Sequence, residues 1–333
     1  MKSRLAAKFL AVSHLRPLLA SVLRPRGILV LNYHRIGDGS ASPYDRELWS
    51  AATTAFDEQV AFLARHCDVI APADIDQALG NPRGRHVIIT FDDGYRDNHD
   101  HAFRILRSHR VPATFFVATG FIDRPTLPWW DEIASLVRRT QADRLLLSGY
   151  LAKPIVLDGD QRDAVIHQLL ETYKALPSPA ATELLAQLRS ESEVDDVAIV
   201  RNHWMTWDMI RDMHAHGMTI GGHTMNHPVL SRMSAQQQYD EIAGCGARIR
   251  DELGVRMDYF AYPVGGRDAF NADTVECLKR LEVRHAFSYY GGFVTRASPR
   301  YDMPRVAIEP HVGTDLFRAM AQLPQVFCRR AYN

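Results

Sequence analysis

Across 333 residues, 39 lysines and arginines are matched by 39 aspartates and glutamates, and 46% of the chain is hydrophobic. Balanced charge excludes the broad basic field that would gather nucleic acid, while length and apolar share suit one large α/β domain, a single barrel with an insertion included. Cys67, Cys245, Cys277 and Cys328 are scattered, which excludes a disulfide framework or a zinc knuckle and favours a reducing compartment.

Residues 1–26 are basic and apolar, with Leu5, Phe9, Val12 and Leu15 at helical spacing. His14 and Arg16 interrupt the apolar run, so neither a secretory signal nor a membrane-spanning helix is expected. An amphipathic helix resting on a membrane surface and a helix packed on its own domain are the two readings. Residues 27–36 read as a buried strand ending in Tyr33 and His34, and residues 56–66 and 74–79 as helices. Residues 87–90 are rich in β-branched side chains, which predicts a strand; Asp92, Asp93 and Gly94 follow, the glycine allowing a sharp reversal. Residues 95–106 then suit a helix packing back. Adjacent carboxylates at a strand's C-terminal end lie where α/β folds keep their chemistry; the alternative is that one merely caps the helix.

Residues 113–118 form the next strand, and the β-α-β order argues for a parallel sheet. The rhythm breaks over about residues 122–203, where helical patterns at 131–139, 162–175 and 181–188 predict a mainly helical insertion. Trp129 and Trp130 stand near its start, and stacking on a sugar ring and packing in a core are weighed evenly. Downstream come a helix at 206–216, a strand at 218–222, the run from His223 to Pro228, a helix at 235–253, a strand at 258–266, a helix at 272–281, and a tail carrying Arg305 and His311.

His223 and His227 are four apart, so one helical turn would put both imidazoles on one face. Gly221 and Gly222 leave room beside them, and Pro228 suits an opening turn. With Asp93 as an oxygen ligand there are three protein ligands and an open position, the arrangement of a catalytic zinc-like site. Asp92 is then free to act as a base. Among 15 histidines an H-x-x-x-H spacing is a weak signal; joined to a strand-ending Asp-Asp-Gly it becomes strong.

Thr90-Phe91-Asp92-Asp93-Gly94 and His223-Thr224-Met225-Asn226-His227-Pro228 resemble the first two motifs of the polysaccharide deacetylases, the NodB-homology group of carbohydrate esterases. Tyr262-Pro263-Val264-Gly265 resembles the third, so the likeness spans most of the chain after residue 25. It implies a distorted (β/α) barrel that removes N-acetyl groups from an N-acetylated saccharide with one divalent metal ion, zinc most often. By the same resemblance Asp92 is the general base, Asp93, His223 and His227 bind the metal, and the backbone N–H of Val264 stabilises the oxyanion. Tyr33, Trp129, Trp130, Tyr262, Pro263 and Arg305 are expected around the substrate.

The chain departs from the family pattern at Ala261, where an arginine is usual; Arg305 is the candidate to orient Asp92 instead. A late Leu-x-His motif is missing around His311. Tyr33-His34 fits members with permuted strand order, which raises His34 above His311 as the general acid. Two alternatives remain: a hydrolase of a non-sugar C–N bond on the same barrel, and a saccharide-binding protein without turnover. The expected location is the cytoplasm, with peripheral contact at the inner membrane face through residues 1–26 and a lipid-linked saccharide among the substrates.

Overall fold

The computed structural model describes residues 2–13, 19, 22–23, 27–81, 84–158, 161–194, 200 and 202–328; His14, Leu15 and Arg16 lie outside them. Eight strands form the main ladder: β1 (Ile28–Tyr33), β2 (His86–Phe91), β3 (Thr114–Val117), β4 (Thr219–Gly222), β5 (Tyr259–Ala261), β6 (His285–Ser288), β7 (Met303–Pro304) and β8 (Val306–Ala307). They run in the order β7-β6-β5-β4-β3-β2-β1-β8, every pair parallel, with Asp68–Val69 added beside β2. The ends of this order, β7 and β8, are separated in sequence by Arg305 alone. One short run therefore closes the barrel, with Met303 opposite Phe287 on one side and Val306 opposite Leu31 on the other.

Side chains alternate across a strand, and two apolar layers follow from that. Ile28, Val30, Ile88, Phe116, Ala261, Phe287 and Met303 meet inside the barrel. Leu29, Leu31, Val87, Ile89, Phe91 and Val306 face outward onto the helices. Carried to the strand ends, the same alternation puts Asn32, Thr90, Asp92 and Arg305 on the interior, at the C-terminal mouth.

The expected strand at 27–36 stops at Tyr33; Arg35–Ile36 turns away to pair with Trp49–Ala51, leaving His34 at the break. The expected helix at 95–106 is a π-helix, Asn98–Phe103, running into Arg104–His109. The insertion contains the helices Trp129–Arg139, Arg162–Ala175 and Ser178–Ser192 and a small antiparallel ladder of Arg144–Leu145 with Ile155–Val156. Its apolar cluster includes Tyr95 and Ala118 from the barrel, which fixes it over the mouth. Strand β6 and the helix Thr314–Gln322 were not expected from the sequence. Helix Lys2–Val12 packs against Thr314–Gln322 through a face containing buried Ala7, while Leu5, Phe9 and Val12 are exposed. No helix among the described residues is long and apolar enough to cross a membrane.

Candidate active site at the barrel mouth

Strand β2 delivers two carboxylates in opposite settings. Asp92 continues the alternation and points inward. Asp93 and Gly94 adopt left-handed backbone, φ 74° and 94°, which ends the strand and swings the Asp93 side chain aside. A Cβ at Gly94 would meet nothing closer than 3.5 Å, so conformation rather than crowding calls for glycine.

Both oxygens of Asp92 are gripped by Arg305, Nη1 to Oδ1 at 2.7 Å and Nη2 to Oδ2 at 2.7 Å. Asn32 Nδ2 also donates to Oδ2, at 3.2 Å. Burial alone would raise the carboxyl; the Arg305 charge, then His223, outweigh it and hold Asp92 well below the usual carboxylate range. Arg305 is fully buried and spends its Nε on the Ser288 carbonyl at 3.2 Å. It grips Asp92, but it is not the substrate contact expected of it: it is fully buried and outside the cavity lining.

Asp93 Oδ1 lies 3.4 Å from Nε2 of His223 and 3.4 Å from Nε2 of His227. His223 donates from Nδ1 to the Ala261 carbonyl at 2.8 Å, which fixes the tautomer and leaves Nε2 a free acceptor. Burial, then the neighbouring His223, push His227 down to about 3, so its ring is neutral as a metal ligand must be. Burial also works against the proton on His223, but Asp92 and Asp93 outweigh it and raise that group. The three ligand atoms lie within 4.8 Å of one another, and among the described residues no donor makes a hydrogen bond to buried Asp93 Oδ1. An anionic oxygen left bare in the interior is costly unless a cation meets it, so the residues fit a divalent metal held by two nitrogens and one oxygen.

The histidine pair is not on a helix. Residues His223 to Pro228 form a loop with Thr224 at φ 66° and His227 at φ 54°. It is held by Glu241, which accepts from the N–H groups of Met225 and Asn226, each at 2.9 Å, and from Asn226 Nδ2 at 2.7 Å. Gly221 and Gly222 make room for packing rather than for a ligand: a Cβ would fall 2.6 Å from the Phe116 ring and 2.1 Å from Met257 Sδ, respectively. Backbone strain gathers at this mouth. Of the seven non-glycine residues with positive φ among the described residues, Arg110, Glu193 and Glu282 are at helix ends; Asp93, Thr224, His227 and Val264 surround the site. Val264 is β-branched at φ 63°, a costly conformation that persists where its surroundings impose it.

A cavity of about 230 Å³ opens over these groups, lined by His34, Asp92, Asp93, Trp129, Trp130, His223, His227, Tyr262, Val264 and Tyr289 among others. His34 sits edge-on to Tyr289 with ring centroids 5.8 Å apart. His311 lies in a neighbouring hollow, half exposed and 3.0 Å from Glu309, so His34 is the histidine brought to the aspartates. Two further expected substrate contacts are overturned. Tyr33 points away into the core, its hydroxyl donating to Gln59 at 2.9 Å and its ring stacked on Phe91. Pro263 is buried and outside the cavity lining.

Trp129 and Trp130 are both wall and core. Trp129 stacks on Tyr173 at 4.3 Å and donates to the His227 carbonyl at 3.4 Å. Trp130 packs on the His227 ring at 4.4 Å and donates to the Tyr95 hydroxyl at 2.7 Å. Sequence reasoning missed Asn32, Glu241 and the bond from the Tyr95 hydroxyl to Asp131. Glu241 had a signal: it shares a helix face with Ile242, Cys245 and Ile249, a buried acid that needs donors.

The sequence profile of the polysaccharide deacetylase family matches residues 79–144 and 158–286. The Bacillus subtilis (strain 168) protein YxkH is 19% identical over 300 residues, 89% of this chain and 76% of that one. The Escherichia coli (strain K12) poly-β-1,6-N-acetyl-D-glucosamine N-deacetylase is 30% identical over 105 residues, 30% of this chain and 15% of that one. Among solved structures, IcaB from Ammonifex degensii superposes with a TM-score of 0.58 at 19% identity, over 90% of this chain and 98% of its own. The Streptococcus pyogenes deacetylase PplD superposes with a TM-score of 0.58 at 18% identity, over 86% and 94%. At such identity these structures speak to the fold, a (β/α) barrel. With a matched profile over most of its length and that barrel beneath it, this chain belongs to the polysaccharide deacetylase family.

Proposed function

We propose that the chain hydrolyses the N-acetyl amide of N-acetylglucosamine-type units in a poly- or oligosaccharide, with one divalent ion, zinc by its donor set, held by Asp93, His223 and His227. One observation carries this reading. Two adjacent aspartates have been given opposite surroundings: Asp92 is locked as a carboxylate by Arg305, and Asp93 offers a bare buried oxygen beside two imidazole nitrogens.

A bound divalent ion supplies Lewis-acid polarisation of the acetyl carbonyl and acidifies water. Asp92, held in place by Arg305 and Asn32, takes the proton of the attacking water. The Val264 N–H, in the wall of the same cavity, would donate to the developing oxyanion. His34 returns a proton to the departing amine. Trp129, Trp130, Tyr262 and Tyr289 shape the wall around the sugar. The Escherichia coli relative, a poly-β-1,6-N-acetyl-D-glucosamine N-deacetylase, supports testing β-1,6-linked oligomers first.

The test is acetate release from a panel of N-acetylated oligosaccharides of different linkage, with chelated and zinc-restored protein compared. Release that needs metal supports the reading; zinc-loaded protein inert towards every sugar contradicts it. The reading extends to location. Lys2, Arg4, Lys8, Arg16, Arg24 and Arg26 precede any acidic residue, and the exposed Leu5, Phe9 and Val12 support peripheral binding at a cytoplasmic membrane face. Co-sedimentation with anionic vesicles that survives deletion of residues 1–26 would overturn that part.

A further inference from the structure

Resting on the metal-binding reading, we propose that the first turn of helix Trp129–Arg139 is a positioning device for His227, so that the insertion, and not the barrel alone, sets metal affinity. His223 needs no such help, since a strand carbonyl orients its ring. His227 has none: its Nδ1 is buried without a hydrogen-bond partner among the described residues, and its backbone is left-handed at φ 54°. What restrains it comes from two consecutive tryptophans. Trp129 holds the main chain through the His227 carbonyl, and Trp130 backs the imidazole at 4.4 Å.

That turn is itself pinned. Asp131, fully buried, accepts from the Tyr95 hydroxyl at 2.9 Å, from the Asp45 N–H at 3.0 Å, and pairs with His203 Nε2 at 2.8 Å. Tyr95 closes the circuit. It accepts from Trp130 at 2.7 Å and stands two residues after the ligand Asp93. One network thus ties the Asp93 turn to the ring of His227 through the insertion. Loss of a group that orients a metal's histidine typically costs about 10–100-fold in metal affinity.

The experiment measures the zinc dissociation constant of the full chain by competition with a fluorescent chelator. Trp130→Leu and Asp131→Asn are expected to weaken zinc by about 10-fold or more, and Trp130→Phe, which keeps a ring against His227, to recover most of the loss. Leu169→Ala is the control, a fully buried side chain of the same insertion core; it should lower the melting temperature and leave zinc affinity unchanged. Folded Trp130→Leu and Asp131→Asn proteins with wild-type affinity would overturn the inference. So would an equal loss in Leu169→Ala, which would reduce the effect to general loosening. If Trp130→Leu does not fold, Asp131→Asn against Leu169→Ala decides by the same criteria. A wild-type chain that binds no zinc would instead sink the proposed function on which the inference stands.

Discussion

His223 and His227 aim at one point but are held by different parts of the molecule. The His223 ring leaves the end of β4 and bonds to the main chain of β5 at Ala261, so the barrel's own register fixes it. The His227 ring hangs from a loop of left-handed residues and is fixed from outside, by tryptophans of the insertion. A strand end positions a ligand at no extra cost, because the ladder already determines where it points. A loop residue in a sparsely populated conformation needs a clamp, and a clamp built on an insertion can change without disturbing the barrel.

The largest change removes a ring outright. His223→Ala should abolish tight metal binding and turnover together; a variant that still binds zinc stoichiometrically would show the barrel side to be dispensable. Arg305→Met comes next, because it strands a buried carboxylate: a loss of about 3–5 kcal/mol is expected in urea unfolding at pH 7. Its pH signature has a definite sign. In the wild type the folded pKa of Asp92 is below its unfolded value, so the pairing contributes stability above about pH 4 and loses it as pH falls through the folded pKa. Without Arg305, burial raises the group, and the acid limb of kcat/KM should move to higher pH; an unmoved limb would mean that Arg305 does not govern Asp92.

His34→Gln should lower kcat by about 10²-fold with metal affinity unchanged, whereas His311→Gln should leave kcat alone. The reverse result would move the acid to the neighbouring hollow. The smallest effect lies at the seam between the two regions. Burial, opposed by the Glu47 N–H, pushes the Asp45 carboxyl up to about 6, above its unfolded value, so its contribution is present at low pH and lost as pH rises through 6. Asp45→Asn should therefore stabilise the chain at pH 8 by on the order of 1 kcal/mol and scarcely at pH 4. Equal shifts at both pH values would contradict this assignment.

Much of the barrel half was legible because its signals are local. A β-branched run followed by Asp92-Asp93-Gly94 states a strand, two carboxylates and a turn in one stretch. The period of two also forbids Tyr33 and His34 from sharing a face, a rule that the reading of Tyr33 as a substrate contact overlooked. The histidine loop misled because a spacing of four belongs to a helical turn and to a tight loop alike, and nothing in the letters of Thr224 or His227 announces positive φ. Arg305 could be guessed only as a replacement for the missing motif arginine; that it sits between the two ends of the ladder is a property of closure. The clamp was invisible for a plainer reason: Asp131 meets Tyr95 across 36 positions and His203 across 72, with no periodic pattern joining them. Strand β6 escaped notice as four residues with a histidine at one end and a serine at the other.

On the proposed reading Asp92 and Asp93, neighbours in sequence, divide the chemistry between them. Zinc content and acetate release should be measured together on wild-type, Asp92→Asn and Asp93→Asn proteins. Asp92→Asn is expected to keep one equivalent of zinc and lose turnover, while Asp93→Asn loses both. An Asp92→Asn protein that still releases acetate, or an Asp93→Asn protein that binds zinc as the wild type does, would contradict it.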